Sequence, residues 1–149
     1  MGEQHSIPIR TPQRVELLAI RAGSRDCLAL QSILIHTNWL VHWVADAHEA
    51  LLFLSDHPVP VLVCPEELPD ATWSDLLAST QELPHPPKVL VYSGRTDQDL
   101  GSEVLNAGGY ELLSTPLQRD EILRATSLAC RTWREETRGQ VLYAAAMTA

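Results

Sequence analysis

The sequence lacks the features that would place it in a membrane or on a nucleic acid. None of its apolar runs approaches the ~20 residues that span a bilayer, and its N-terminus has no hydrophobic stretch of the kind a secretion signal needs. Basic residues are scarce, with 11 Lys and Arg against 19 Asp and Glu among 149 residues, for a net charge of −8. Such a chain repels phosphate backbones. We therefore expect a cytoplasmic protein that binds neither nucleic acid nor membrane.

Cysteines and histidines are too few and too scattered to predict a metal site or another bound cofactor. The three cysteines, Cys27, Cys64 and Cys130, are an odd number set among apolar residues, which is typical of reduced core thiols. No two histidines stand four residues apart on one predicted helix, and none has a cysteine at ligand spacing. The six histidines are His5, His36, His42, His48, His57 and His85.

Motifs of the common enzyme classes are also missing. The sequence contains neither G-x-G-x-x-G nor G-K-[ST], so nucleotide binding has no support. Ser93 lacks the G-x-S-x-G turn of a hydrolase nucleophile. A flavin carrier is disfavoured because the loop 21–25, Arg-Ala-Gly-Ser-Arg, is short and poor in hydroxyl groups. We expect no enzymatic activity.

Five short apolar segments alternate with helical patterns along the chain. This order predicts an α/β fold, a doubly wound (βα)5 domain with a five-stranded parallel sheet, flavodoxin-like in class. The predicted domain covers 15–134, preceded by a tail over 1–14 and followed by an apolar tail over 135–149. The predicted strands are 15–20, 40–45, 61–64, 88–92 and 112–113, and the predicted helices are 24–36, 46–57, 72–81, 97–107 and 118–133.

Residues at the predicted helix ends support these bounds. Ser24 is a plausible N-cap of the first helix. Asp46 is followed three residues later by Glu49, a capping-box arrangement for the second helix. The Gly108–Gly109 pair is a natural end for the fourth helix.

Several local phrases, in the right order between residues 15 and 133, resemble the receiver domain family of two-component response regulators. Asp46-Ala-His-Glu-Ala-Leu51 is similar to the D-G-x-E-A-L that opens the second helix in that family, and Leu68-Pro69 to the L-P after the third strand. Asn106-Ala-Gly-Gly-Tyr110 and Thr115-Pro116 resemble the phrases around the fifth strand. The resemblance implies a receiver-like fold and a role in signalling.

The resemblance also shows where the chemistry of the family should lie, and most of those residues are replaced. A working receiver holds Mg²⁺ with an acidic pair after the first strand, because this cation prefers carboxylate oxygens. It also has an aspartate acceptor, a hydroxyl residue, a lysine and a switch aromatic. The acidic pair falls on Arg21 and Ala22, and the acceptor falls on Pro65. The hydroxyl falls on Ser93, the lysine on Thr115 and the switch aromatic on Leu112. Only the hydroxyl is retained, which predicts a degenerate, or pseudo-receiver, domain.

An acidic loop beside the predicted site has two interpretations. Glu66, Glu67 and Asp70 follow the third strand. They either form a built-in substitute for phosphate that contacts Arg21, or they are simply solvated surface residues. Both interpretations stay open at this stage.

The function expected from these observations is a phosphorylation-independent signalling module that acts by protein–protein interaction in a two-component phosphorelay. Its partner would be a histidine kinase or an output protein, bound through the fourth helix, fifth strand and fifth helix. The alternative is a receiver that still responds to phosphate through Glu66 or Ser93. The uncharged segment 141–147 is costly to leave in water, so we expect a homodimer through the last helix, this tail or both. The alternative is that the tail folds back on its own domain as an extra strand or helix.

Overall fold

A computed structural model describes residues 14–95 and 97–148, with the side chains of residues 98 and 148 left undescribed. Except for Arg14, the predicted tail over 1–14 lies outside this range. Strands and helices alternate throughout. The strands are β1 (Glu16–Ile20), β2 (Leu40–Val44), β3 (Val61–Pro65), β4 (Lys88–Ser93) and β5 (Glu111–Ser114), and the helices are α1 (Arg25–Leu34), α2 (Ala47–Asp56), α3 (Trp73–Thr80), α4 (Gln98–Asn106) and α5 (Arg119–Thr148).

The five strands form one parallel sheet in the order β2-β1-β3-β4-β5, which confirms the predicted fold class. The order reverses direction at β1, next to β3, so the carboxyl ends of these two strands border the crevice in which sites of doubly wound folds form. In the register of β3 with β4, Pro65 lies beside Tyr92. The residues that follow β1, β3, β4 and β5 therefore meet at one edge of the sheet.

Both faces of the sheet are buried, as a parallel sheet requires. On one face, Leu17, Val63 and Tyr92 pack with side chains of α1 and α5. On the other face, Leu18 and Val91 pack with α2, α3 and α4. The three cysteines are free and buried, as predicted, and burial raises the pKa of the Cys64 thiol to about 12.

The predicted ends of α1 and α4 are confirmed. At α2, Asp46 is the N-cap as predicted, but the Glu49 carboxylate accepts from the Ala45 N–H at 2.9 Å, so the predicted capping box is only half formed. Ser24 accepts a hydrogen bond from the Cys27 N–H at the start of α1. At the end of α4, Gly108 has φ +99°, and the Gly109 N–H donates to the Val104 carbonyl at 2.8 Å. This is the Schellman arrangement, in which a glycine takes the left-handed conformation and frees the chain to enter β5.

The last helix differs from the prediction. α5 does not end near Trp133 but continues to Thr148 as one helix of 30 residues, so residues 135–148 are not a separate tail. At ~1.5 Å per residue the helix is about 45 Å long. Gly139 suggested a boundary, yet its cost of about 1 kcal/mol relative to alanine is offset by strong helix formers on both sides.

Contacts with the domain also support this extension. The Lys88 ammonium lies 2.7 Å from Glu136, and His85 lies 3.3 Å from Gln140. Within the described part of the chain, no helix is both long and apolar enough to cross a membrane.

Candidate functional site

The carboxyl edge of the sheet brings together most of the residues to which the sequence analysis assigned a role. Pro65 is the last residue of β3 and is buried, and Ser93 is the last residue of β4. Arg21 and Ala22 follow β1, and Thr115 follows β5. The Thr115 N–H donates to the Ser93 carbonyl at 3.0 Å, which fixes the loop after β5 beside β4. Leu112 lies within β5 and is half-buried.

Glu66 forms hydrogen bonds with three residues at or after the end of β4 and so connects the parts of this edge. Its backbone N–H donates to the Tyr92 carbonyl at 3.0 Å, which directs its side chain towards the end of β4. The Ser93 hydroxyl donates to Glu66 Oε1 at 2.6 Å, and Arg95 Nη1 donates to Glu66 Oε2 at 2.6 Å. The Glu66 side chain is only 19% exposed, so its carboxylate is largely withdrawn from water and satisfied by these two donors.

Arg95 completes the arrangement from the loop after β4. Its backbone N–H donates to Ser93 Oγ at 2.9 Å, so this hydroxyl is both donor and acceptor. Its guanidinium also donates from Nε to Asp97 Oδ2 at 3.2 Å. Hydrogen bonds to Asp97 and Glu66 raise the pKa of Arg95. The cation is 51% exposed, so it closes the site from the solvent side.

Arg21 does not contact the acidic loop, so this part of the phosphate-substitute interpretation is wrong. Arg21 forms no ion pair with Glu66, Glu67 or Asp70 in the described chain, and its guanidinium carbon lies 5.5 Å from the ring centre of Trp43 instead. An exposed arginine gains from stacking on an indole without the desolvation that a partly buried carboxylate would require. The cation beside Glu66 is Arg95.

Asp70, the third acidic residue of the loop, caps the N-terminus of α2. Its two carboxylate oxygens accept hydrogen bonds of 3.0 Å from the N–H groups of Ala47 and His48. Asp46 accepts from the next N–H of α2, that of Glu49, at 2.8 Å. The first three N–H groups of α2 therefore all have carboxylate partners. These backbone donors, Ala47 first, lower the pKa of Asp70.

The loop that carries Glu66 and Asp70 is closed on itself. Glu67 pairs with Thr72 in an antiparallel bridge, and the Trp73 N–H donates to the Glu66 carbonyl at 3.3 Å. Thr72 then caps α3 by accepting from the Asp75 N–H at 3.1 Å. Of the two interpretations of the acidic loop, Glu66 fits a residue engaged at the site, and exposed Glu67 fits a surface residue.

The chemical groups at this edge differ from those of a phosphoryl-transfer site. The side chains at the two positions after β1 offer no oxygen to a divalent cation, and the acceptor position carries a proline ring. A methyl group added at Gly94 would lie 3.3 Å from the Thr115 hydroxyl, so Thr115 also approaches the end of β4. What the edge does contain is one carboxylate held by a hydroxyl and a guanidinium.

Comparison with solved structures identifies this architecture. The chain is similar to the signal receiver domain of an HD domain-containing protein from Pseudomonas fluorescens Pf-5, at 26% identity over 83% of this chain and 99% of that one, with a TM-score of 0.70. It is similar to a CheY-like response regulator receiver domain protein from Methanospirillum hungatei JF-1, at 18% identity over 83% and 99% of the two chains, with a TM-score of 0.71.

A third structure contains a receiver domain with a partner. It is the co-crystal structure of the Saccharomyces cerevisiae histidine phosphotransfer signaling protein Ypd1 and the receiver domain of its downstream response regulator Ssk1, at 12% identity over 80% of this chain and 91% of that one, with a TM-score of 0.69. No protein-family profile and no curated protein sequence matches the chain. Fold, element order and these similarities agree with the motifs in the sequence, and the chain has the fold of response regulator receiver domains.

Proposed function

We propose that this receiver domain is a pseudo-receiver, a signalling module that works by protein–protein interaction without accepting a phosphoryl group. The observation that carries the proposal is the Glu66 carboxylate, one residue beyond the acceptor position and hydrogen-bonded to the retained hydroxyl of Ser93 at 2.6 Å. The hydroxyl that would otherwise face a phosphoryl group is already engaged by a negative charge that the chain supplies.

The residues around Glu66 support this proposal. Arg95 provides the positive charge beside the carboxylate, at 2.6 Å, in a family whose usual cation for this purpose is a lysine, here replaced by Thr115. Mg²⁺ has no carboxylate pair to bind, because Arg21 and Ala22 stand at those positions. Glu66 would thus hold the end of β4 in one arrangement permanently, and no enzymatic step is required of the domain.

The proposed partners are proteins of a two-component phosphorelay in the cytoplasm, a histidine kinase or phosphotransfer protein on one side or an output protein on the other. The similarity to the Ssk1 receiver domain, crystallised with Ypd1, supports a partner of the phosphotransfer class. We place the recognition surface on α4, β5 and α5. The switch position in this surface is occupied by Leu112, so the surface would not change with a rotating aromatic ring.

Phosphorylation chemistry tests the proposal directly. The protein is incubated with acetyl phosphate and Mg²⁺ beside an active receiver domain as a positive control, and intact mass is measured. We expect no gain of 80 Da on this chain while the control is modified. A stoichiometric adduct would overturn the proposal in favour of a phosphate-responsive receiver. Loss of that adduct in Glu66→Gln or in Ser93→Ala would then identify the acceptor.

The extension of α5 supports a second part of the proposal, a homodimer. Val141, Leu142, Tyr143 and Met147 are each more than half exposed, and apolar surface of this kind marks interfaces. Light scattering on the full chain at ~100 µM, a concentration at which weak association is populated, should give a dimeric mass. A chain ending at Arg138, or full-length Leu142→Glu, should be monomeric. A monomeric full chain would rule out the dimer.

A further inference from the structure

Two histidines and one glutamate, distant in sequence, meet at the opposite edge of the sheet from Glu66. Glu16 begins β1, His42 lies in β2, and His57 follows α2, which returns to the amino ends of the strands. His42 Nε2 lies 2.8 Å from Glu16 Oε2, and His57 Nε2 lies 3.0 Å from the same oxygen. The three potential ligand atoms all lie within 4.8 Å of one another.

The surroundings of these side chains hold the two rings in place. The Phe53 ring centre lies 4.8 Å from that of His42 and 5.2 Å from that of His57. The side chains of Glu16 and His42 are 20% and 24% exposed, and that of His57 is 54% exposed. The cluster therefore has a partly dry inner side, formed by Phe53, and an open outer side through which a small ion can enter.

The chemistry of this set is selective. Two imidazole nitrogens and one carboxylate oxygen suit zinc, nickel, cobalt or copper, whereas magnesium and calcium prefer sites made of oxygen alone. Bonds of ~2.0–2.2 Å in tetrahedral geometry place ligand atoms about 3.3–3.6 Å apart. Each imidazole nitrogen would therefore move a few tenths of an ångström away from the Glu16 oxygen. The two imidazole nitrogens, which lie within 4.8 Å of each other, would approach by at most about 1.5 Å. Three protein ligands also leave one position for water or a fourth group.

We infer that Glu16, His42 and His57 form a binding site for one divalent transition metal ion, of which zinc is the representative. The ion would take the place between the three ligand atoms that the hydrogen bonds now close. It would tie the carboxyl end of α2 to the edge of the sheet at β1 and β2. The site is independent of the proposed function, because it shares no residue with Glu66, Ser93 and Arg95.

Metal titration of the full chain tests this inference. The protein, freed of any polyhistidine tag and stripped with chelator, is titrated with zinc chloride by calorimetry, and its thermal unfolding is followed with and without the ion. We expect one ion per chain, a rise in Tm that EDTA reverses, and no rise with millimolar Mg²⁺. His57→Ala should weaken binding at least tenfold, and because His57 is largely exposed the variant should remain folded.

A matched variant and an NMR measurement test whether zinc binds at this cluster and not at other histidines. His36→Ala removes another exposed histidine, at the end of α1, and should bind zinc as the wild type does. Co²⁺ should broaden the NMR signals of the His42 and His57 rings first. Absence of binding, equal affinity in His57→Ala and wild type, or equal weakening by His36→Ala would each overturn the inference.

Discussion

The Ser93 hydroxyl donates a hydrogen bond of 2.6 Å to the Glu66 carboxylate, across the ends of two neighbouring strands. Ser93 ends β4, and Glu66 follows β3 directly. The bond therefore joins the hydroxyl at the end of β4 to the acidic residue that comes directly after Pro65. Its strength and its dependence on charge can be measured without knowing the partner.

Removing the Glu66 side chain should destabilise the fold. Glu66→Ala leaves the Ser93 hydroxyl and the Arg95 guanidinium without their acceptor, and hydrogen bonds to a charged group contribute about 1.5–3 kcal/mol. Glu66→Gln keeps an acceptor but removes the charge, and should destabilise the fold less than Glu66→Ala does, because water screens the half-exposed Arg95 guanidinium. Urea unfolding gives both values. Glu67→Gln, a change in the same loop at an exposed residue, should be neutral within about 0.5 kcal/mol.

The Asp70 carboxylate should make stability depend on pH in acid. Its pKa is lowered in the folded protein, so the folded state binds its proton less readily than the unfolded state does. The stabilisation is therefore complete above the unfolded pKa of about 3.9 and is lost as the pH falls through the lower folded pKa. Asp70→Asn should unfold at lower urea concentration than the wild type at pH 7.

The difference between these two proteins should shrink below about pH 4, where the wild-type carboxylate gains its proton. Glu67→Gln again serves as the control, since it removes the same charge from the same loop without touching α2. A constant difference between wild type and Asp70→Asn from pH 7 down to about pH 3 would contradict the assignment of Asp70 as the charged cap of α2.

Two glycines around α4 should respond to alanine in opposite ways. In Gly109→Ala the new methyl group would lie 2.5 Å from Val104 Cγ1 and 2.9 Å from the Val104 carbonyl oxygen, which should cost about 1–3 kcal/mol. In Gly101→Ala, inside the helix, it would lie 3.8 Å from Leu112, an ordinary contact. That variant should be more stable by about 0.5–1 kcal/mol. Equal effects in urea unfolding would refute the packing described around Gly109.

The Tyr92 hydroxyl should be dispensable for stability. It is buried and makes no hydrogen bond of good geometry in the described chain; its polar neighbour is the Cys27 thiol, a weak partner. Burial, followed by the Cys27 and Cys64 thiols, raises the pKa of Tyr92. Tyr92→Phe removes a polar group that receives little compensation, so the free energy of unfolding should stay constant or rise by about 1 kcal/mol.

Tyr110→Phe is the matched control for the buried phenol. The Tyr110 hydroxyl lies 3.3 Å from the Thr132 hydroxyl, and losing this long hydrogen bond should cost about 0.5 kcal/mol. A loss of stability in Tyr92→Phe larger than that in Tyr110→Phe would show that Tyr92 has a strong partner after all.

The fold was predictable because its signals are local. The five apolar segments, the cap at Ser24 and the glycine after α4 each depend on residues within a few positions of one another. The end of α5 was not predictable in the same way. Gly139 is a helix breaker by propensity, but the residues around it and the contacts of Glu136 and Gln140 with the domain outweigh that local signal.

The sequence predicted where the site lies, but not which cation contacts the acidic loop. The order of strands places residues 21, 65, 93 and 115 at one edge, and sequence reasoning found them. It missed Arg95, whose role depends on how the loop after β4 folds over Glu66, although a cation two residues after Ser93 was a visible signal. It also gave no reason to expect the histidine cluster, because its members come from chain positions 26 and 41 residues from Glu16.

Glu66 and Asp70 share one short loop, which the Glu67–Thr72 bridge closes. A displacement that separates Glu66 from Ser93 should therefore also move Asp70 and remove the cap of α2. The hydrogen bonding of Glu66 at the carboxyl edge of the sheet and the order of the first turn of α2 then form one cooperative unit. A partner could bind that turn, at His48 for example. By reciprocity, its binding should change the free energy of the Glu66–Ser93 interaction by the same amount by which that interaction changes the free energy of partner binding.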